Sequence, residues 1–164
     1  MRLLIAVNRL LAFTGSEVIA LEVAAELQSA ALERPEGPGP KVDFVVAQRL
    51  ATQGDPRLMR IVMEHLVSNA RKFSSKKSAP RIEVGSLALD GGEPAYFVRD
   101  NGAGFDMAGA GRLFGVFQRL HSDNDFPGTG VGLATAQSIV RKHGGRIWAE
   151  AVVGQGATFY FTLG

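Results

Sequence analysis

Two hairpins, one on each side of a helix, constrain the fold of this chain more than any other feature of its sequence. Ile82 and Val84 mark a strand, Asp90-Gly91-Gly92 supplies a tight turn, and Ala95 to Arg99 reads as the return strand. Arg146 to Val152 and Ala157 to Leu163 repeat the arrangement around Gly154-Gln155-Gly156. Between them, Gly130 to His143 reads as a helix. It closes on Arg141, Lys142 and His143 before Gly144-Gly145, which suits both the helix dipole and a left-handed cap. Upstream, Asp55-Pro56 is a helix start, and Leu58, Val62, Leu66 and Phe73 recur at helical spacing as far as the polar run Ser74 to Lys77. Val42, Phe44 and Val46 make Lys41 to Val46 a strand, and Leu50 to Gln53 is compatible with a second short one. Paired strands between helices predict an α+β two-layer sandwich, with a mixed sheet covered on one face by helices. They argue against the alternating βαβ order of a doubly wound dinucleotide fold.

A length of 164 residues allows one domain. At the start, Leu3, Leu4, Val7, Leu10 and Leu11 share a stripe, so Met1 to Phe13 reads as an amphipathic helix. Its apolar core stops at Asn8-Arg9, too soon for a signal peptide, and no apolar run approaches the ~20 residues of a membrane span. Ser16 to Leu21 reads as a short extended segment, Glu22 to Leu32 as a helix, and Arg34 to Pro40 as a turn broken by prolines and glycines. The absence of cysteine excludes disulfides and thiolate metal sites and is compatible with a reducing, cytoplasmic compartment. A formal net charge of +2 gives no reason to expect a nucleic-acid partner.

Glycine is placed unevenly: of 20 in the chain, most lie at or after Gly102. From Asp100 to Gly128 there is little regular pattern, and so long a loop in a compact domain is usually a lid or a binding loop. Five places in and around it can carry chemistry. Asn69 falls on the apolar stripe of its helix, where a buried amide needs a partner from the protein or from a ligand. His65 lies one turn earlier on the same side, and Lys72 less than a turn later. Asp100-Asn101-Gly102-Ala103-Gly104 ends a strand with an acceptor suited to an exocyclic amine, beside glycines that let backbone approach a ligand. Gly128, Gly130 and Gly132, followed by Leu133, open a helix whose free N–H groups suit phosphate. This run lacks the ending of a P-loop and the preceding strand of a dinucleotide fingerprint. Leu113 to Leu120 holds Phe114 and Phe117, which would anchor a lid, and Arg119, which could stabilise charge on a transferring phosphoryl group. Gly154 to Phe159 closes the series on the last strand pair.

Taken in order, these five pieces resemble the catalytic, ATP-binding domain of sensor histidine kinases, in the GHKL (Bergerat-fold) ATPase superfamily. The resemblance covers about Ser16 to Gly164. Phe117 to Ser122 together with Phe126 to Ala134 most resembles the kinases of bacterial phytochromes and related light-regulated or PAS-containing sensors. Residues 1–15 look like the tail of the family's dimerisation and phosphoacceptor domain, which implies a homodimer through that helix. The resemblance implies that Asn69 ligates Mg²⁺, Lys72 touches phosphate, and Phe73 and Leu133 line the nucleotide. It implies that Asp100 accepts from the adenine amino group and that Gly102 and Gly104 let the base approach. Thr158 would help through a water near Asp100, Gly128, Gly130 and Gly132 would hold the triphosphate, and Arg119 would act in the lid. The implied partners are ATP, a phosphoacceptor domain and a response regulator.

Two departures stand out. Where the family usually has a second Asn, one turn before Asn69, this chain has His65, a further candidate for the metal. None of the three histidines, His65, His121 and His143, has the acceptor context of the family. The γ-phosphoryl group is therefore expected to go to a histidine elsewhere. Alternative readings are an ATPase or serine kinase of the same superfamily, and a nucleotide-gated interaction module without transfer chemistry. The ATPase branch needs a Glu where His65 stands.

Overall fold

The structure is a computed structural model that describes residues 40–47, 50, 52, 54–118, 126 and 128–164. The expected helices at 1–13 and 22–32, the extended segment at 16–21 and nearly all of the 34–40 turn lie outside the described residues. The elements run β1 (Asp43–Val46), α1 (Pro56–Ser74), β2 (Arg81–Ala88), β3 (Pro94–Asp100), a 3-10 turn (Met107–Arg112), α2 (Gly132–Lys142), β4 (Ile147–Val152) and β5 (Gly156–Phe161).

Helix α1 starts where the Asp55 carboxylate accepts the Arg57 N–H at 2.9 Å, with Pro56 in the first turn. It buries Met59, Val62, Met63, Leu66, Val67 and Ala70. Its last carbonyls are taken up by Ser74 Oγ on Ala70 and Ser75 Oγ on Lys72, each at 2.7 Å. Helix α2 ends in Arg141 and Lys142, and Gly144 follows in the left-handed region at φ 76°. It begins at Gly132 rather than Gly130, because Gly130 has φ 70° and cannot belong to a right-handed helix.

The sheet order is β1-β2-β3-β5-β4. Both expected hairpins form, β2 with β3 and β4 with β5, and β3 joins them antiparallel to β5. The edge strand makes the sheet mixed, as expected. Strand β1 pairs in parallel with β2, so β1-α1-β2 is a single βαβ crossover. Leu50 is fully buried in the core, while part of the expected short strand at 50–53 lies outside the described residues.

The two faces of the sheet have different jobs. Ile82, Val84, Val98, Ala149, Phe159 and Phe161 join the apolar sides of α1 and α2 in one core. On the other face Trp148 stacks on Tyr160 (centroids 5.2 Å, 13°), Arg146 lies over Trp148 and Arg99 over Phe97. Helices therefore cover one face and leave one end of the sandwich, where β3 and α1 finish and α2 starts, to form a cavity.

Candidate functional site

That cavity, about 280 Å³, is walled on one side by His65, Ser68, Asn69, Lys72 and Phe73 of α1. The helical period puts these five side chains beside the core stripe, so a polar strip faces the cavity while the apolar strip holds the sheet. The opposite wall is Gly128, Thr129, Gly130, Gly132 and Leu133, where the chain turns into α2. Ala157 and Phe159 of β5 line the bottom, and Gly104, Phe105, Leu113, Gln118 and Phe126 complete it.

Close packing of α1 against the start of α2 depends on missing side chains. A Cβ on Gly132 would come within 2.9 Å of His65 Nδ1, and one on Gly128 within 3.0 Å of Lys72 Nζ. Asn69, His65, Lys72 and the glycine run, separate in sequence, thus share one end of the cavity. Lys72 Nζ also lies 4.5 Å from the Phe73 ring centroid.

The other end is built where β3 runs out against the last turn of α1. Ala103 N–H donates to the Phe73 carbonyl at 3.0 Å, and Gly102 packs on the same carbonyl so closely that a Cβ would stand 2.4 Å from it. Gly104 is in the left-handed region at φ 60° and lies against the Val152 carbonyl, where only glycine fits. Asp100 is 5% exposed and its Oδ1 accepts the Gly102 N–H at 2.8 Å. Burial pushes its carboxyl up to about 6, while the Gly102 and Ala157 N–H groups and the Lys77 charge pull the other way. Asp100 and Gly102 stand behind the cavity surface, next to the lining residues Phe73, Gly104 and Ala157.

Three expectations need correction or fall elsewhere. Thr158 does not face Asp100. Register sets Ala157 opposite Asp100 and Thr158 opposite Arg99, and the Thr158 hydroxyl accepts from Arg99 Nε at 3.1 Å on the other face of the sheet. A period of two allows no other outcome once Asp100 points to the core side. Phe117 is not an anchor: it is 76% exposed with φ 61°, whereas Phe114 packs against the core. Arg119 lies outside the described residues. Sequence reasoning missed Phe126, which is 5% exposed and meets the Phe73 ring edge-on at 5.0 Å. A bulky ring set in a polar, glycine-rich run was the available signal.

The same residues are matched by a known family. From 54 to 164 the chain fits the model for "Histidine kinase-, DNA gyrase B-, and HSP90-like ATPase". The chain belongs to this family. It is 46% identical over 110 residues to cyanobacterial phytochrome A of Nostoc sp. (strain PCC 7120), an alignment that covers 67% of this chain and 14% of the phytochrome. Among solved structures it resembles a mycobacterial sensor histidine kinase, MprB, with a TM-score of 0.73 at 24% identity, over 87% of this chain and 93% of that one. It also resembles full-length ShkA in complex with AMPPNP, with a TM-score of 0.65 at 26% identity, over 87% of this chain and 28% of ShkA. The mixed five-stranded sheet with its helices is thus the fold of histidine kinase catalytic domains. The chain spans about a seventh of the phytochrome's length. Among the described residues no helix is long and apolar enough to cross a membrane.

Proposed function

We propose that this domain binds Mg²⁺–ATP and passes the γ-phosphoryl group to a histidine on a phosphoacceptor and dimerisation domain, within a cytoplasmic two-component pathway that continues to a response regulator. Residues 1–15 would belong to the dimerisation helix and 16–164 to the catalytic domain. One observation carries the reading: a single cavity is walled by the polar side of α1 and the glycine-rich entry to α2, with a buried carboxylate, Asp100, directly behind its lining at Phe73, Gly104 and Ala157. The AMPPNP held by the related ShkA supports it.

The residues present suit the metal in a particular way. Among the described residues no cluster of three His, Asp or Glu side chains exists to cage a cation. Mg²⁺ commonly rests on one or two protein groups and the substrate's own phosphates, and it prefers oxygen, which the Asn69 amide offers. His65 offers nitrogen, the poorer donor for this ion, and would serve through water. When bound, the ion would offset charge on the phosphate oxygens.

The rest falls to the chain. Lys72 and the free N–H groups at the start of α2 hold the phosphates, with Gly128, Gly130 and Gly132 letting backbone come close. Leu133 and Phe73 line the nucleotide, and Asp100 accepts from the adenine amine, with Gly102 and Gly104 allowing the approach. Arg119 would stabilise charge as the γ-phosphoryl moves. The acceptor imidazole forms the new N–P bond as the P–O bond to the β-phosphate breaks and ADP leaves; the domain contributes position and charge. Incubation with γ-labelled ATP and a separately supplied phosphoacceptor domain should give acid-labile, base-stable phosphate on that domain. Binding of ATP with no transfer to any supplied acceptor would leave a nucleotide-gated module instead.

A further inference from the structure

Phe126 belongs to no helix or strand, and its sequence neighbours Asp125, Pro127 and Gly128 suit the surface. Its ring is nonetheless 5% exposed. It meets Phe73 with centroids 5.0 Å apart and planes at 64°, and Lys76 Nζ sits 4.7 Å from its centroid. Both rings line the cavity. Two aromatic planes at such an angle make an apolar corner, and the corner lies at the end of α1 where the Phe73 carbonyl holds Ala103 and packs on Gly102 beside Asp100. Two residues beyond Phe126, Gly128 is already at the Lys72 ammonium. Asp100 thus stands behind the wall at this corner, and the Lys72 ammonium lies beside it, 4.5 Å from the Phe73 ring centroid.

We infer that Phe126 is a specificity-determining residue that packs its ring on the nucleobase. This inference rests on the nucleotide reading above. A flat heteroaromatic base has the shape the corner accepts, can turn its amine toward Asp100, and leaves its phosphates running toward Lys72 and Gly128. A residue that merely held the glycine run in place would act on the phosphates and be indifferent to the base.

The test compares Mg²⁺–ATP with inorganic tripolyphosphate, which carries phosphates without a base, by calorimetry on the full chain and on Phe126→Ala and Phe126→Leu. Leucine keeps apolar bulk and serves if alanine disturbs folding. Stacking on an aromatic ring predicts that both variants lose about ten-fold in ATP affinity while tripolyphosphate changes by less than about two-fold. Equal losses for the two ligands, no loss for either, or full retention by Phe126→Leu would overturn the inference. The parent decides the underlying reading separately: if it binds ATP no better than tripolyphosphate, there is no base subsite and both ideas fall.

Discussion

Behind the cavity wall at its Asp100 end the polar atoms are already committed: the carboxylate is buried and holds Gly102, and the Phe73 carbonyl holds Ala103. At the Lys72 end His65, Asn69 and Lys72 are half-buried on the side of one helix, against glycines that bring no side chains of their own. The first end resembles a socket cut to one shape. The second resembles a charged surface that adapts to whatever ions fill it. Discrimination between bases should therefore reside at the first end and tolerance at the second, because an unpaired buried acceptor costs far more than an unpaired group in reach of water.

The sharpest way to break this contrast is Asp100→Ala. Losing a buried hydrogen bond to a charged group costs about 1.5–3 kcal/mol, roughly ten- to a hundred-fold in affinity. The loss should fall on ATP and spare tripolyphosphate. A parent protein that binds ATP and GTP equally in calorimetry would remove Asp100 from base recognition.

Acidification sharpens the same point, because it should move stability and affinity in opposite directions. The Asp100 carboxyl is held near 6, above the ordinary 3.8. Between those values the native protein keeps a proton that the unfolded chain has lost, so stability rises as pH falls through this window, by about 3 kcal/mol at most. A protonated carboxyl is a poorer acceptor for an exocyclic amine, so ATP affinity should fall about ten-fold from pH 7 to pH 5. Asp100→Asn should flatten both trends relative to the parent. Denaturant melts of the free protein and ATP titrations across this range would check the pair; parallel slopes for parent and variant would count against it.

The two ends also differ in how far the sequence disclosed them. The Lys72 end was legible because helical spacing alone sets His65, Asn69 and Lys72 on one side, and glycines at a helix start announce what they face. The hairpins and the core stripe of α1 were legible for the same reason, since both rest on local periodicity. What escaped depends on pairing between distant segments. Nothing local says that Asp100 opposes Ala157 rather than Thr158, or that β1 crosses α1 to lie parallel to β2. The 3-10 turn at Met107–Arg112 escaped too: it rests on the Asp106 cap to Ala108 N–H and has no apolar stripe to betray it. Phe126 escaped because a ring's burial is decided by Phe73 and Lys76, fifty or more residues earlier.

Lys72→Met probes the adaptable end. Methionine keeps the apolar stem and deletes the charge, and with it the ammonium's contact with the Phe73 ring. A partly exposed cation on phosphate is worth up to about 1 kcal/mol, or about five-fold in affinity. Unlike Asp100→Ala, the loss should be the same for ATP and tripolyphosphate, and raising the salt concentration should shrink it. A loss confined to ATP would mean that Lys72 serves the base and that the two ends are not separate in function.

The smallest effect is expected at His65, the position where this chain departs from its family. Its ring packs against the first residue of α2, so a substitution there changes donor chemistry more than it changes the cavity wall. Asparagine is smaller than histidine and would not crowd Gly132. It also brings a carbonyl oxygen, the donor type Mg²⁺ prefers, in place of a ring nitrogen. His65→Asn should therefore lower the Mg²⁺ concentration needed for half-maximal ATP binding by about two- to five-fold, less than 1 kcal/mol, since Asn69 and the phosphates remain. Affinity for ATP without Mg²⁺ should stay within about two-fold. The opposite split is equally readable: a weaker Mg²⁺-free complex with an unchanged Mg²⁺ requirement would mean that the imidazole contacts phosphate directly. In that case the adaptable end would owe its hold on the triphosphate to His65 as well as Lys72, and of His65 and Asn69 only Asn69 would serve the metal.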